Sequence, residues 1–322
     1  MHIVLIIIAI LLLLTLLISY ITYRIAFYSS PKKRGEVLTL PQDETYTEEQ
    51  KASLREMMDD MMQRPCEIVS IRSVDGLTLY GRYYHFYDNA PIELQFHGYR
   101  GSAFRDYSGG NRLAREGGHN ALVVDQRSQG MSEGHSITFG IMERLDCREW
   151  VRFIAQRFGA ETPIILTGVS MGAATVLMAS ELDLPGNIVG IIADSPFASP
   201  ESIISKVCKE DMHIPPALAM PFLRLGARLF GRFDLSESTA LDAVKHCRYP
   251  VLIVHGENDS FVPCEMSRKL FDACASDKQL ETFPGAPHGF SLMTDPDRYR
   301  AIIGDFNRRV VPNQDDLPGN VL

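Results

Sequence analysis

The sequence predicts an α/β domain, a mostly parallel sheet with helices on both faces, carried behind an apolar N-terminal helix. Three observations point to it. From residue 92 onward, short apolar runs alternate with amphipathic stretches, the rhythm of parallel strands joined by crossover helices. One such run ends in a glycine-flanked serine turn, Gly168-Val169-Ser170-Met171-Gly172, which opens a helix of small residues. From Ile3 to Tyr23 the chain carries no charged side chain.

The N-terminal run is 21 residues long and would span about 31 Å as a helix, the thickness of a bilayer core. A cleaved signal peptide would need a basic start, a shorter core and small residues at the cleavage site. This stretch has none of these, so it reads as an uncleaved anchor over residues 1–28, with Tyr20, Tyr23 and Tyr28 as interfacial aromatics. Arg24, Lys32, Lys33 and Arg34 all follow the span. The positive-inside rule then places the rest of the chain in the cytoplasm.

The remainder is ordinary globular material. Of 322 residues, 45% are apolar and 22% charged, with 32 Lys and Arg against 40 Asp and Glu for a net charge of −8. That composition excludes a disordered chain and a polytopic membrane protein. The acidic balance argues against a nucleic-acid binder, which needs a basic face for phosphates. Six cysteines at 66, 147, 208, 247, 264 and 274 show no metal or redox spacing, so they read as free thiols of a reducing compartment.

In chain order, residues 29–64 form a linker and one amphipathic helix. Thr47 and Gln50 make a capping-box pattern, and Leu54, Met57, Met58, Met61 and Met62 fall on one helical face. That face packs on the domain in the plainer reading and binds a partner or lipid in the alternative. Residues 65–322 form the domain itself. Val74-Asp75-Gly76 joins two strands, 67–73 and 77–85, as a hairpin. Strands follow at 92–96, 121–124, 164–167, 188–193, 251–254 and 279–282. Helices fall at 104–116, 141–157, 171–182, 264–275 and 297–309. The rhythm breaks between Pro196 and Leu235 in a segment rich in Leu, Ala, Phe and Pro. It is too long for a plain connection and reads as a helical cap, about 197–235, over the C-terminal edge of the sheet.

The chemistry concentrates at three strand ends. A turn tight enough to need glycine on both sides strains Ser170 and pushes its hydroxyl out at the sheet edge, above a helix N-terminus. Serine needs a base to become a nucleophile. His288, in Gly285-Ala286-Pro287-His288-Gly289-Phe290 just past the last strand, is the best placed. His213 lies in the cap and could reach substrate. The base needs an acid to hold its tautomer. Asp259, five residues beyond the strand ending at Val254, is the candidate, with Asp194 and Glu257 as rivals. The order Ser170, Asp259, His288 is that of α/β-hydrolases.

From about residue 65 to 309 the chain resembles the α/β-hydrolase superfamily. Beyond the serine turn, Gln95-Phe96-His97-Gly98-Tyr99-Arg100-Gly101 resembles its oxyanion loop. The segment Asp125-Gln126-Arg127-Ser128-Gln129-Gly130-Met131-Ser132 resembles its D-x-R-G-x-G-x-S stretch, with Ser128 in place of the usual glycine and Gln129 in place of a common histidine. Residues 254–263, Val-His-Gly-Glu-Asn-Asp-Ser-Phe-Val-Pro, resemble its acid loop. The resemblance implies an oxyanion hole made by the backbone N–H groups of Tyr99 and Met171. It implies acyl transfer through an acyl-enzyme, which needs no metal or organic cofactor.

The expected activity is that of a serine hydrolase on carboxylic esters, with an acyl or lipid-like small molecule as substrate. A serine aminopeptidase, an amidase or a thioesterase remains open on the same residues. A dehalogenase would need aspartate at position 170. From other classes, the chain could be a catalytically inactive membrane-tethered binding protein, or an anchor recruiting partners through the Met57 and Met61 face. Acyl length and oligomeric state stay open.

Overall fold

The structure is a computed structural model that describes residues 1–30 and 46–311. Most of the linker and the C-terminal tail therefore lie outside the described residues. Helix α1 runs His2–Ala26 and α2 Glu48–Gln63. The strands β1 (Glu67–Arg72) and β2 (Thr78–Tyr84) make the antiparallel hairpin. Then come β3 (Ile92–Phe96), α3 (Ala103–Glu116), β4 (Asn120–Val124), α4 (Glu143–Phe158), β5 (Pro163–Val169), α5 (Met171–Ala179) and β6 (Asn187–Asp194). Between β6 and β7 (Val251–Gly256) lie α6 (Pro200–Lys206), α7 (Pro216–Gly226) and the short α8 (Ala240–Ala243). The chain closes with α9 (Glu265–Ala273), β8 (Lys278–Phe283), α10 (Ser291–Thr294) and α11 (Pro296–Val310).

All eight strands share one sheet in the order β1-β2-β4-β3-β5-β6-β7-β8. The pairs β1–β2 and β2–β4 are antiparallel and the rest parallel. Every residue of β3, β4 and β7 is buried, because helices cover both faces, and the polar side chains among them are paired, Glu93 with Gln95 and His119. The chain leaves β3 toward β4, then returns past it to β5. That reversal makes a crevice at the C-terminal ends of β3 and β5, where open α/β sheets bind ligands. In register, Phe96 of β3 lies opposite Gly168 of β5, so the loop after β3 meets the turn after β5.

The capping box of α2 forms through Thr47 and Gln50. Leu54, Met57, Met58 and Met61 are buried, while Met62 is exposed. The helix packs on α3 and α10. This corrects the idea of a partner-recruiting Met57 and Met61 face: the domain already covers it. Ser128 has φ +65°, so it sits in the left-handed region that favours glycine. Its hydroxyl donates to the Ser136 carbonyl at 2.9 Å. The departure from the family pattern is thus a local backbone cost. Beside it, Asp125 accepts from Arg82 at 3.1 Å and from the Met131 N–H at 3.0 Å, which pins the loop.

Helix α1 is long and apolar enough to cross a membrane. It does not stand clear of the domain, however. Residues 2–18 are exposed apart from half-buried Thr15, but Ser19, Tyr23 and Phe27 are buried. Tyr23 is therefore not an interfacial aromatic. Its hydroxyl bonds to Ser136 Oγ at 2.8 Å, and its ring packs on Phe230 and Phe27. Tyr20 keeps an exposed face, and Tyr28 is half-buried, stacked on His135. The cause is an i, i+4, i+8 stripe at 19, 23 and 27, which gives α1 a docking face near its end.

Candidate active site

Ser170 has φ +55° and ψ −115°, a strained backbone that persists only where its surroundings hold it. The holding is mutual. A Cβ on Gly172 would come 1.9 Å from the Phe96 carbonyl oxygen, and one on Gly168 would come 2.2 Å from Gly172 backbone. Only glycine at both positions lets β3, β5 and α5 approach this closely. The Ser170 N–H donates to the Asp194 carbonyl at 2.8 Å, which ties the turn to β6. Its side chain then stands at the N-terminus of α5, in the crevice at the switch point.

The loops after β7 and β8 bring two more predicted residues to this spot. His288 Nε2 lies 2.9 Å from Ser170 Oγ, and His288 Nδ1 lies 2.6 Å from Asp259 Oδ2. An ionised carboxylate only accepts, so Nδ1 carries the proton and Nε2 presents its lone pair to the serine hydroxyl. Asp259 Oδ1 also accepts from the N–H groups of Phe261 at 2.9 Å and Val262 at 2.7 Å. Burial would raise this carboxyl, but bonds from His255 and His288 outweigh it and hold it well below the usual carboxylate range. An imidazole set this way can take a proton from the hydroxyl and hand it on.

The rival acids are engaged elsewhere. Asp194 accepts from Ser195 Oγ at 2.8 Å and Tyr299 Oη at 2.9 Å, and burial raises its carboxyl. Exposed Glu257 accepts from Thr282 Oγ1 at 2.7 Å. His213, between α6 and α7, is exposed, although its neighbours Met212 and Ile214, themselves partly open to solvent, contribute to the wall of a cavity at the serine. Met171 is fully buried at the first position of α5. Tyr99 follows β3 and lines both cavities that meet at Ser170.

Two further histidines carry contacts that sequence reasoning had not assigned. His255, at the end of β7, is buried with Nε2 3.2 Å from Asp259 Oδ2 and Nδ1 2.6 Å from Ser267 Oγ. Its signal is its place at the end of a buried strand, four residues before Asp259. His97 Nε2 accepts the Gln126 N–H at 3.1 Å, so Nδ1–H donates to the Gly98 carbonyl at 2.8 Å. It thereby shapes the loop that carries Tyr99. Asp106 of α3 holds the same loop by accepting the Gly98 N–H at 2.9 Å.

Ser170 lies where two compartments meet, one almost wholly apolar and one of mixed character. One is a chamber of about 280 Å³ lined by Phe139, Phe197, Ile203, Ile204, Leu223 and Phe261, among others. The other is a cleft of about 330 Å³ that adds Tyr46, Arg105, Asp106 and His288. A separate groove of about 780 Å³, with Glu67, His85 and Arg157, lies at the N-terminal edge of the sheet, far from this chemistry. Among the described residues no group of three or more His, Cys, Asp or Glu could hold a metal ion.

Residues 96–302 match the alpha/beta hydrolase family. Among curated proteins, the chain is 28% identical over 200 residues to a lysophosphatidylserine lipase, ABHD12, of Danio rerio, covering 61% of this chain and 50% of that one. It is 24% identical over 189 residues to the uncharacterised YqkD of Bacillus subtilis, covering 59% and 62%. The chain thus spans less than two thirds of these relatives' length. Among solved structures, the esterase Pf2001 of Pyrococcus furiosus superposes with a TM-score of 0.60 at 21% identity, over 78% of this chain and 95% of that one. With the sheet order, the strained serine turn and a family match across more than half its length, the chain belongs to the alpha/beta hydrolase family.

Proposed function

We propose that the chain is a membrane-anchored serine hydrolase of carboxylic esters, working through Ser170, His288 and Asp259. The observation that carries this reading is the continuous relay from Asp259 through His288 to Ser170 at 2.6 and 2.9 Å, beside an apolar chamber that opens on the hydroxyl. His288 takes the Ser170 proton as Oγ attacks the ester carbonyl. The backbone N–H groups of Tyr99 and Met171 hold the oxyanion. His288 then protonates the departing alcohol, leaving an acyl-enzyme that water, activated by His288, hydrolyses to the acid.

The two compartments support an ester with unlike halves. The chamber suits an apolar acyl group, since apolar walls with few polar anchors favour such ligands. The cleft, whose walls mix apolar side chains with the paired Arg105 and Asp106, takes the alcohol. The esterase and the lysophosphatidylserine lipase among the similar proteins support the same class. The test is a series of p-nitrophenyl esters from acetate to palmitate with aminoacyl anilides alongside. Esters should turn over, and medium or long acyl chains should outrun acetate. Faster anilide cleavage would replace the ester assignment with an amidase one. Failure of Ser170 to label with a fluorophosphonate would instead favour an inactive binding protein.

Helix α1 is the anchor, and the cations at Arg24, Lys32, Lys33 and Arg34 set the catalytic domain in the cytoplasm. Cys66 is exposed, Cys264 half-buried and the other four cysteines buried, so Cys66 reports the side. An impermeant maleimide should leave it unlabelled in intact cells and label it after lysis. Labelling before lysis would reverse the orientation.

A further inference from the structure

The last two turns of α1 touch the site directly. Thr22, Ile25 and Ala26 contribute to the wall of the apolar chamber that opens on Ser170. The Tyr99 hydroxyl donates to the Ala26 carbonyl at 2.7 Å. Arg100, whose φ of +51° is itself strained, donates through its guanidinium to the Ile25 carbonyl at 2.9 Å and the Tyr28 carbonyl at 3.3 Å. These carbonyls are available because the end of a helix leaves its last C=O groups without intrahelical partners. The loop bearing the Tyr99 N–H is therefore held from one side by Asp106 and from the other by the end of the membrane helix.

The docking is close. A Cβ on Gly226 of α7 would come 2.4 Å from the Ser19 carbonyl oxygen, so the cap helix and α1 meet backbone to backbone. The uncovered part of α1, residues 2–18, is about 26 Å long at 1.5 Å per residue. A bilayer core is about 30 Å thick, so the docked turns begin at the depth of the lipid tails. Around them the chamber wall includes exposed apolar side chains, Ile25 of α1 with Met212 and Ile214 of the cap. Leu218, Leu229 and Phe230 extend the exposed apolar surface of the cap.

We propose that the last two turns of α1 are a working part of the site. They wall the acyl chamber and hold the oxyanion loop, and an ester's acyl chain passes from the lipid leaflet into the chamber along the membrane helix. This deepens the hydrolase reading above and rests on it. Thr22, Ile25 and Ala26 set which acyl chains fit. Tyr99 acts in two ways: its N–H contacts the oxyanion, while its side chain positions that N–H through Ala26. Burial raises the Tyr99 hydroxyl pKa, which keeps it a donor across the neutral range.

The test uses the full chain in phosphatidylcholine vesicles with p-nitrophenyl acetate and laurate. Thr22→Trp should lower the laurate-to-acetate ratio of kcat/KM about tenfold or more, the discrimination that a changed apolar pocket delivers. Should tryptophan prevent folding by circular dichroism, Thr22→Leu reads the same ratio more weakly. Tyr99→Phe keeps the ring and removes only the hydroxyl. It should lower kcat on both esters about tenfold while KM stays, because the loss falls on the transition state. Leu12→Phe, on the exposed part of α1, should change neither. A wild-type ratio in the Thr22 variants, or a wild-type kcat in Tyr99→Phe, overturns the proposal. Binding of cis-parinaric acid to the Ser170→Ala chain separates the two failures. If no ester turns over yet Thr22→Trp still weakens parinaric acid binding, the hydrolase reading falls and the helix wall stands. If esters turn over with the wild-type ratio and binding is unchanged, the wall falls and the hydrolase reading stands.

Discussion

Ser170→Ala should abolish ester turnover, by about 10⁶-fold in kcat, while the chain stays folded. The size follows from removing the nucleophile of a concerted unit, where one missing member costs nearly as much as all of them. The hydroxyl contributes little to the fold. The strained turn is held by the Asp194 carbonyl and by the contact of Gly172 with Phe96, and alanine meets the same backbone penalty as serine at φ +55°. Circular dichroism and urea unfolding should therefore match the wild type, and fluorophosphonate labelling should vanish. Adding His288→Ala to this variant should cost almost nothing more. Residual activity above about 1% of wild type would show that another group delivers the nucleophile.

Asp259→Asn should lower kcat about 10⁴-fold, the cost of the wrong imidazole tautomer in such a relay. Asn can turn its NH₂ toward His288 Nδ1, and the ring proton then moves to Nε2, where it faces Ser170 Oγ and blocks proton uptake. The substitution also changes the pH dependence of stability, and its sign follows from the direction of the shift. The folded carboxyl lies below its unfolded value because the bonds from His255 and His288 outweigh burial. Its contribution is then complete above the unfolded pKa of about 3.9 and is lost as pH falls through that value toward the folded one. Urea unfolding at pH 6 and pH 3 should show a steeper acid-side loss for wild type than for Asp259→Asn. Equal slopes would mean that the carboxylate is not the stabilised group.

Much of the fold was legible because its determinants are local. The capping box at Thr47, the hairpin around Gly76, the apolar strands and the helix after Ser170 are each set by neighbours within a few residues. Most of their boundaries in the structure shift by a residue or two, as helix and strand ends do, and the helix after Ser170 stops three residues early, at Ala179. The serine turn stood out for the same reason, since a φ of +55° flanked by close backbone contacts demands glycine on both sides. Met62 belongs to the predicted stripe yet is exposed, because at about 100° per residue it falls at the edge of the arc that Leu54, Met57, Met58 and Met61 bury.

By itself, the sequence determined the order of strands and helices, the apolar run at the start and the placement of Ser170, Asp259 and His288 each beyond a strand end. Only the tertiary structure decided what meets across the sheet. The connection that leaves β4 and passes β3 to reach β5 opens the crevice, and the parallel pairing of β5 through β8 brings residues 118 positions apart in sequence to within 2.9 Å. It also decided that Tyr23 and Phe27 dock inward instead of facing lipid, and that α1 reaches the loop carrying Tyr99. Hydropathy cannot separate a side chain buried in protein from one buried in lipid, because both remove the same apolar surface from water; the difference lies in what covers it, here the rings of Phe139 and Phe233 over Phe27.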